Sequence, residues 1–182
     1  MRHTIRAVTA TPPRRIHLLR HAKSSWDDPT LGDFDRPLAP RGVKAAARMA
    51  RWIRESDVRP ELVLCSSAVR ARETLVRVRD ALGSPPIELE DGLYAASGDS
   101  LGNRLRQVSN DVGDVMLVGH NPGLADLCLL LARPSPEKDR IAEKLPTGAL
   151  VTLETSSTWA ELGPECATIV QRVLPRELDY RP

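Results

Sequence analysis

Short apolar runs alternate with longer stretches of helical periodicity along most of this chain. Residues 16–19 read as a buried strand, apolar and bounded by polar positions. From 43 to 56, Val43, Ala46, Ala47, Ala50 and Ile53 form one stripe, the spacing of an amphipathic helix. A second strand, 62–65, stops at Ser66-Ser67 and leads into a helix over 68–82, closed by Gly83 and followed by Pro85-Pro86. Residues 87–89 make a short third strand. Ser97 then caps a helix that carries Leu101, Leu105 and Val108. The strand 115–118 ends on Gly119-His120. Asn121-Pro122 reads as a helix start, with Asn at the cap and Pro at the first helical position, ahead of the apolar run 124–131. Residues 133–144 are polar and contain proline, so a surface excursion is expected there. Two late strands, 149–154 and 166–174, are separated by a turn at Gly163-Pro164.

This alternation predicts an α/β protein, a three-layer α/β/α sandwich with a mainly parallel central sheet and an antiparallel edge. The stretch 22–40 is rich in Asp, Pro and Gly and too long for a plain connection; loops of that kind are usually functional or disordered. Trp26 and Phe34 within it argue that it packs down and shapes access to whatever it borders. No repeat or internal boundary is visible. The 182 residues therefore divide into an N-terminal tail, 1–14, and one domain, 15–182.

Composition narrows the class. An apolar fraction of 41% and a charged fraction of 27% are ordinary for a soluble domain, and 3% aromatics leave the core to Leu, Val, Ala and Ile. A net charge of +2 is too small to argue for a nucleic-acid or membrane surface. Cys65, Cys128 and Cys166 are odd in number and widely spaced, neither a zinc pattern nor a disulfide framework, and are expected to fill core volume. There is no apolar run of about 18 residues and no apolar signal segment behind the basic N-terminus, so a cytoplasmic location is expected.

The chemistry lies where strands end. Three apolar strands terminate in polar clusters: Arg20-His21, Ser66-Ser67 just before Arg70, and Gly119-His120. If the strands are parallel, these clusters share one edge, where open α/β sheets bind ligands. Two Arg and two His around one cavity suit a doubly charged tetrahedral anion, since the guanidinium fork takes phosphate oxygens in pairs. The helix after Asn121-Pro122 would aim its positive end at the same place. A neutral His among such cations can attack phosphorus, and the cations would keep its lone pair free by lowering its pKa. Arg70 in the first turn of its helix opposes the helix dipole by ~0.3–1 kcal/mol, a local choice that hints at function. Taken alone it could instead pair with Glu73 or Asp91. His3, in the tail, and His17, within the strand, fit structural roles. Arg48, Arg51 and Arg54, with Arg41 and Lys44, read as a solvated helix face.

At this point the strings LLRHAKS at 18–24, SSWDDPTLGDFDRPLAPRG at 24–42, SSAVRARET at 66–74 and VGHNPGL at 118–124 resemble the histidine phosphatase superfamily, which includes the phosphoglycerate mutases. Within it they resemble the short bacterial branch of phosphohistidine phosphatases, the SixA type. The resemblance implies a phosphoglycerate mutase-like fold, with His21 as the nucleophile and Arg20, Arg70 and His120 completing the phosphate pocket. It also implies a reaction without metal or cofactor, in which His21 is phosphorylated and then released by water. Many relatives carry a Glu general acid after the third strand; lining up on Leu89 and Tyr94 puts Asp91 there, with Glu90 beside it. Lys23, Ser24 and Asn121 are candidates to touch phosphate. The expected partner is a phosphorylated protein or a small phosphorylated substrate, with no nucleic acid, no membrane and the oligomeric state open. Three readings follow: a phosphatase of phosphohistidine in a signalling protein, a phosphatase of small phosphate esters or anhydrides, or an idle phosphate- or phosphoprotein-binding module.

Overall fold

The computed structural model describes residues 12–178, so most of the basic tail and His3 lie outside the described residues. Six strands form one sheet in the order β3-β2-β4-β1-β5-β6. Strands β1 (Arg14–Arg20), β2 (Leu62–Ser66), β3 (Ile87–Glu90) and β4 (Asp114–Gly119) run parallel. Strands β5 (Leu150–Thr155) and β6 (Ala167–Val173) add the antiparallel edge beside β1. Strand β1 begins at Arg14, two residues before the apolar run 16–19.

Helices cover both faces because the inner strands are apolar on both. Ile16 and Leu18 of β1 join Leu64, Leu117 and Val151 under helices α3 (Gly98–Arg106) and α4 (Gly123–Leu131). Leu19, pointing the other way, joins Val63, Cys65, Met116 and Val118 under α1 (Pro40–Glu55) and α2 (Val69–Val78). That alternation produces the three layers. Cys65 and Cys128 are buried core residues; burial pushes both thiols up to about 12. His17 is buried with Nδ1 3.0 Å from Thr152 Oγ1, a contact between neighbouring strands.

Two local readings need correction. Residues 133–144 are not a plain excursion: Pro136–Glu143 form a helix, α5, whose cap Ser135 accepts the Lys138 N–H at 3.2 Å. Asn121 is not a helix cap. Helix α4 begins at Gly123 with Pro122 in the cap position, and the Asn121 side chain instead donates to the Leu145 carbonyl at 3.1 Å. Ser97, by contrast, does cap α3, accepting the Ser100 N–H.

Candidate active site

Parallel pairing brings the three strand ends together. Arg20 of β1 lies opposite Gly119 of β4, and Cys65 of β2 opposite Val118. The residues that follow, His21, Ser66 and His120, therefore lie along one edge of the sheet. The rings of His21 and His120 come within 5.0 Å, centroid to centroid, and both are largely buried.

Each ring is fixed through one nitrogen. His21 Nδ1 donates to the Ala22 carbonyl at 2.7 Å, which leaves the lone pair on Nε2. His120 Nε2 lies 2.8 Å from Ser66 Oγ. That hydroxyl already accepts the Ala68 N–H, so its hydrogen can go to Nε2 and the ring proton of His120 belongs on Nδ1. Burial lowers the His21 pKa most, and against the Ala22 hydrogen bond the charges of His120, Arg70 and Arg20 lower it further, to about 3. Burial and Arg70 lower that of His120 to about 4. Both rings are neutral near pH 7, one as an acceptor and one as a donor.

Arg20 donates Nη1 to the Leu145 carbonyl at 2.6 Å, the same oxygen that Asn121 uses. Arg20 Nε and His120 Nδ1 are buried without a partner among the described residues. Two buried N–H groups of this kind fit a tetrahedral oxyanion, which would accept from both. Arg70 is in the first turn of α2 and buried, and it pairs with neither Glu73 nor Asp91. Its Nη2 meets Asp33 Oδ2 at 2.8 Å, and its Nη1 donates to the Asp33 carbonyl. Glu73 instead accepts the Leu38 N–H at 2.7 Å.

Several residues that position the site gave no signal in isolation. Asp33 accepts from Arg36 at 2.7 Å and from the Tyr94 hydroxyl at 2.8 Å as well as from Arg70. Burial pushes its carboxyl up, but those hydrogen bonds and the Arg70 charge outweigh it and hold the pKa at about 2. Tyr94 stands edge-on to His120, 5.5 Å between centroids, and Phe34 packs edge-on to Tyr94. Thr74 Oγ1 accepts the Ala22 N–H at 3.0 Å and donates to the Arg70 carbonyl at 2.7 Å, tying the loop after β1 to α2. The links of Asp33 to Arg70 and Tyr94, and of Ala22 to Thr74, join residues far apart in the chain, so only the folded structure reveals them.

The remaining candidates stand outside this cluster. Ser24 is buried and accepts Arg36 Nη2 at 2.7 Å, within a loop that folds back through the Ser25 N–H to Pro37 carbonyl bond. Lys23 lines a groove beside the site. Asp91 is exposed and accepts the Ser67 hydroxyl. Glu90 is held by Arg104 at 2.8 Å. Trp26 is 70% exposed, with the Arg36 guanidinium stacked on its ring, so it covers Arg36 rather than packing into the core.

Comparison with known proteins places this geometry. The family model of the histidine phosphatase superfamily (branch 1) matches residues 16–121. An uncharacterised protein of Mycobacterium tuberculosis is 36% identical over 87% of this chain and all of its own length. The phosphohistidine phosphatase SixA of Escherichia coli is 29% identical over 63% of this chain and 74% of that protein. A structure assigned as phosphohistidine phosphatase SixA from Nakamurella multipartitia superposes with a TM-score of 0.79 at 29% identity, covering 91% of this chain and 99% of the other.

Proposed function

Because this chain belongs to the histidine phosphatase superfamily, we propose that it is a phosphatase working through a phosphorylated His21, and that its substrate is phosphohistidine in a protein. In the first step His21 Nε2 attacks phosphorus as the bond from phosphorus to the substrate's ring nitrogen breaks. Arg20, Arg70 and the His120 Nδ1–H stabilise the phosphoryl oxygens as charge shifts among them. In the second step water attacks the phosphoryl group on His21, phosphate leaves, and Nε2 recovers its lone pair. The neutral state of His21 supports the nucleophile's role, because a protonated ring could not attack.

The observation that carries the substrate class is the state of the neighbouring carboxylates. Asp33 is held ionised at about 2, Glu90 is paired with Arg104, and Asp91 is exposed against Ser67. None of the three makes a hydrogen bond to His21 or His120 among the described residues. An alkoxide leaving from an ester needs a proton from a general acid. The imidazole of a phosphohistidine can take its proton from water at the far ring nitrogen, and so needs no acid from the enzyme.

The test compares turnover of a phosphohistidine-bearing protein with a panel of sugar and nucleotide phosphates. The phosphohistidine protein should give the highest kcat/KM, and Asp91→Asn should leave that turnover unchanged. Faster ester hydrolysis that collapses in Asp91→Asn would assign the enzyme to small esters instead. Phosphate binding with no turnover of either class would leave a binding module.

A further inference from the structure

The cations along α1 are exposed, as expected of a solvated helix face, but three of them converge on one groove. Arg41, Lys44 and Arg48 project from one side of the helix into a groove of about 410 Å³, joined there by Lys23 from the loop after β1 and Arg176 from the turn after β6. No carboxylate lines the groove among the described residues. None of these five cations forms an ion pair among the described residues. The whole chain carries only +2, so this is a local concentration of charge and not a reflection of the average.

One wall of the groove is built onto the backbone of Lys23 and the other onto that of Arg20 and His21. On one side the Ala39 N–H donates to the Lys23 carbonyl at 2.9 Å, and α1 packs so closely that a Cβ at Gly42 would lie 2.1 Å from that oxygen. On the other, the Gly148 N–H, next to the lining residue Thr147, donates to the carbonyls of both Arg20 and His21 at 3.1 and 3.0 Å. Pro175 packs over Gly148, where an added Cβ would lie 2.9 Å from its Cγ. The backbone that carries the cations is therefore tied to the backbone of the nucleophile's own loop.

We propose that this groove docks an acidic segment of the protein whose phosphohistidine is presented to His21, an inference that rests on the phosphohistidine reading above. A ligand seated here lies beside the phosphate pocket, because Lys23 of the lining follows His21 by two residues and Gly148 is bonded to the backbone of Arg20 and His21. Charge complementarity selects a run of Asp and Glu. Among the described residues the lining contains no aromatic ring, the surface on which unpaired nucleic-acid bases stack. Uncompensated cations at a recognition surface act chiefly on encounter rate and partner choice, and salt screens them.

The experiment uses the full chain with two synthetic phosphohistidine peptides, flanked by glutamates or by lysines, and with phosphoimidazole as the small substrate. The triple variant Lys44→Glu, Arg48→Glu, Arg176→Glu alters charges that are not among those acting on His21. The wild type should favour the acidic peptide in kcat/KM by about tenfold or more at low salt, falling toward parity at high salt. The triple variant should lose that preference while hydrolysing phosphoimidazole as the wild type does. Equal hydrolysis of both peptides by the wild type, or a preference that survives in the variant, overturns the docking groove alone. Inhibition by a single-stranded oligonucleotide without any peptide preference would give the groove to nucleic acid and overturn it too. If neither peptide is hydrolysed while esters are, the phosphohistidine reading fails and the docking proposal with it.

Discussion

At the scale of single residues, the site depends on which nitrogen of each histidine is engaged. His21 donates from Nδ1 and His120 is met at Nε2, so the two rings offer opposite functions across 5.0 Å. Burial, with the arginine charges adding to it, holds both well below the ordinary 6.5. NMR titration of the ring protons should find neither histidine titrating above about pH 5; a midpoint near 6.5 for His21 would remove the electrostatic basis of the site. Asp33 is the other decisive residue. Its charge lies against Arg70 and opposes an incoming dianion, while its hydrogen bonds orient the guanidinium. Asp33→Asn keeps the shape and removes the charge, so inhibition by inorganic phosphate should tighten about 3–10-fold, roughly 0.7–1.4 kcal/mol. Weaker inhibition would mean that Asp33 serves Arg70 mainly as an anchor.

At the scale of elements, the strands and amphipathic helices were legible because period and burial agree in them. The strand ends at Arg20, Ser66 and Gly119 follow from runs that stop at polar residues. Helix α5 was missed although Ser135-Pro136 carry the start signals, because its one buried position, Ile141, gives too little stripe to outweigh its polarity. Asn121 misled for the opposite reason. Its local pattern suits a cap, yet a carbonyl 24 residues away engages its side chain. The loop 22–40 was legible as functional, but not the way Arg36 ties Ser24, Ser25 and Asp33 together. The contact of α1 with that loop at Gly42 leaves no room for a side chain. Gly42→Ala should destabilise the protein by ~1–3 kcal/mol in urea unfolding and depress turnover, since the Lys23 carbonyl must move. Gly92→Ala, with nothing within 4 Å of the new Cβ, is the control and should change stability little. Equal effects of the two would show that the loop yields to α1.

At the scale of the whole molecule, the sheet's parallel order converts distant motifs into one cluster, and the fold bears the cost of keeping that cluster neutral. The folded values of about 3 and 4 lie below the ordinary histidine value of 6.5, so as pH falls the unfolded chain takes up protons first. This contribution to stability is complete above pH 6.5 and is lost progressively as pH drops toward 4 and then 3. The slope is about 1.4 kcal/mol per pH unit for each proton bound only by the unfolded chain. Urea unfolding at a series of pH values should show that decline, and the double variant His21→Ala, His120→Ala should flatten it; an unchanged slope in the variant would place the acid sensitivity elsewhere. The central claim is that His21 carries the phosphoryl group between two half-reactions. Acid-sparing quench during turnover of a phosphohistidine protein, followed by mass spectrometry, tests it most directly. A phosphoryl adduct is expected on the peptide containing His21, absent in His21→Ala together with all turnover; an adduct on another residue, or hydrolysis that persists in His21→Ala, would rule out His21 as the carrier.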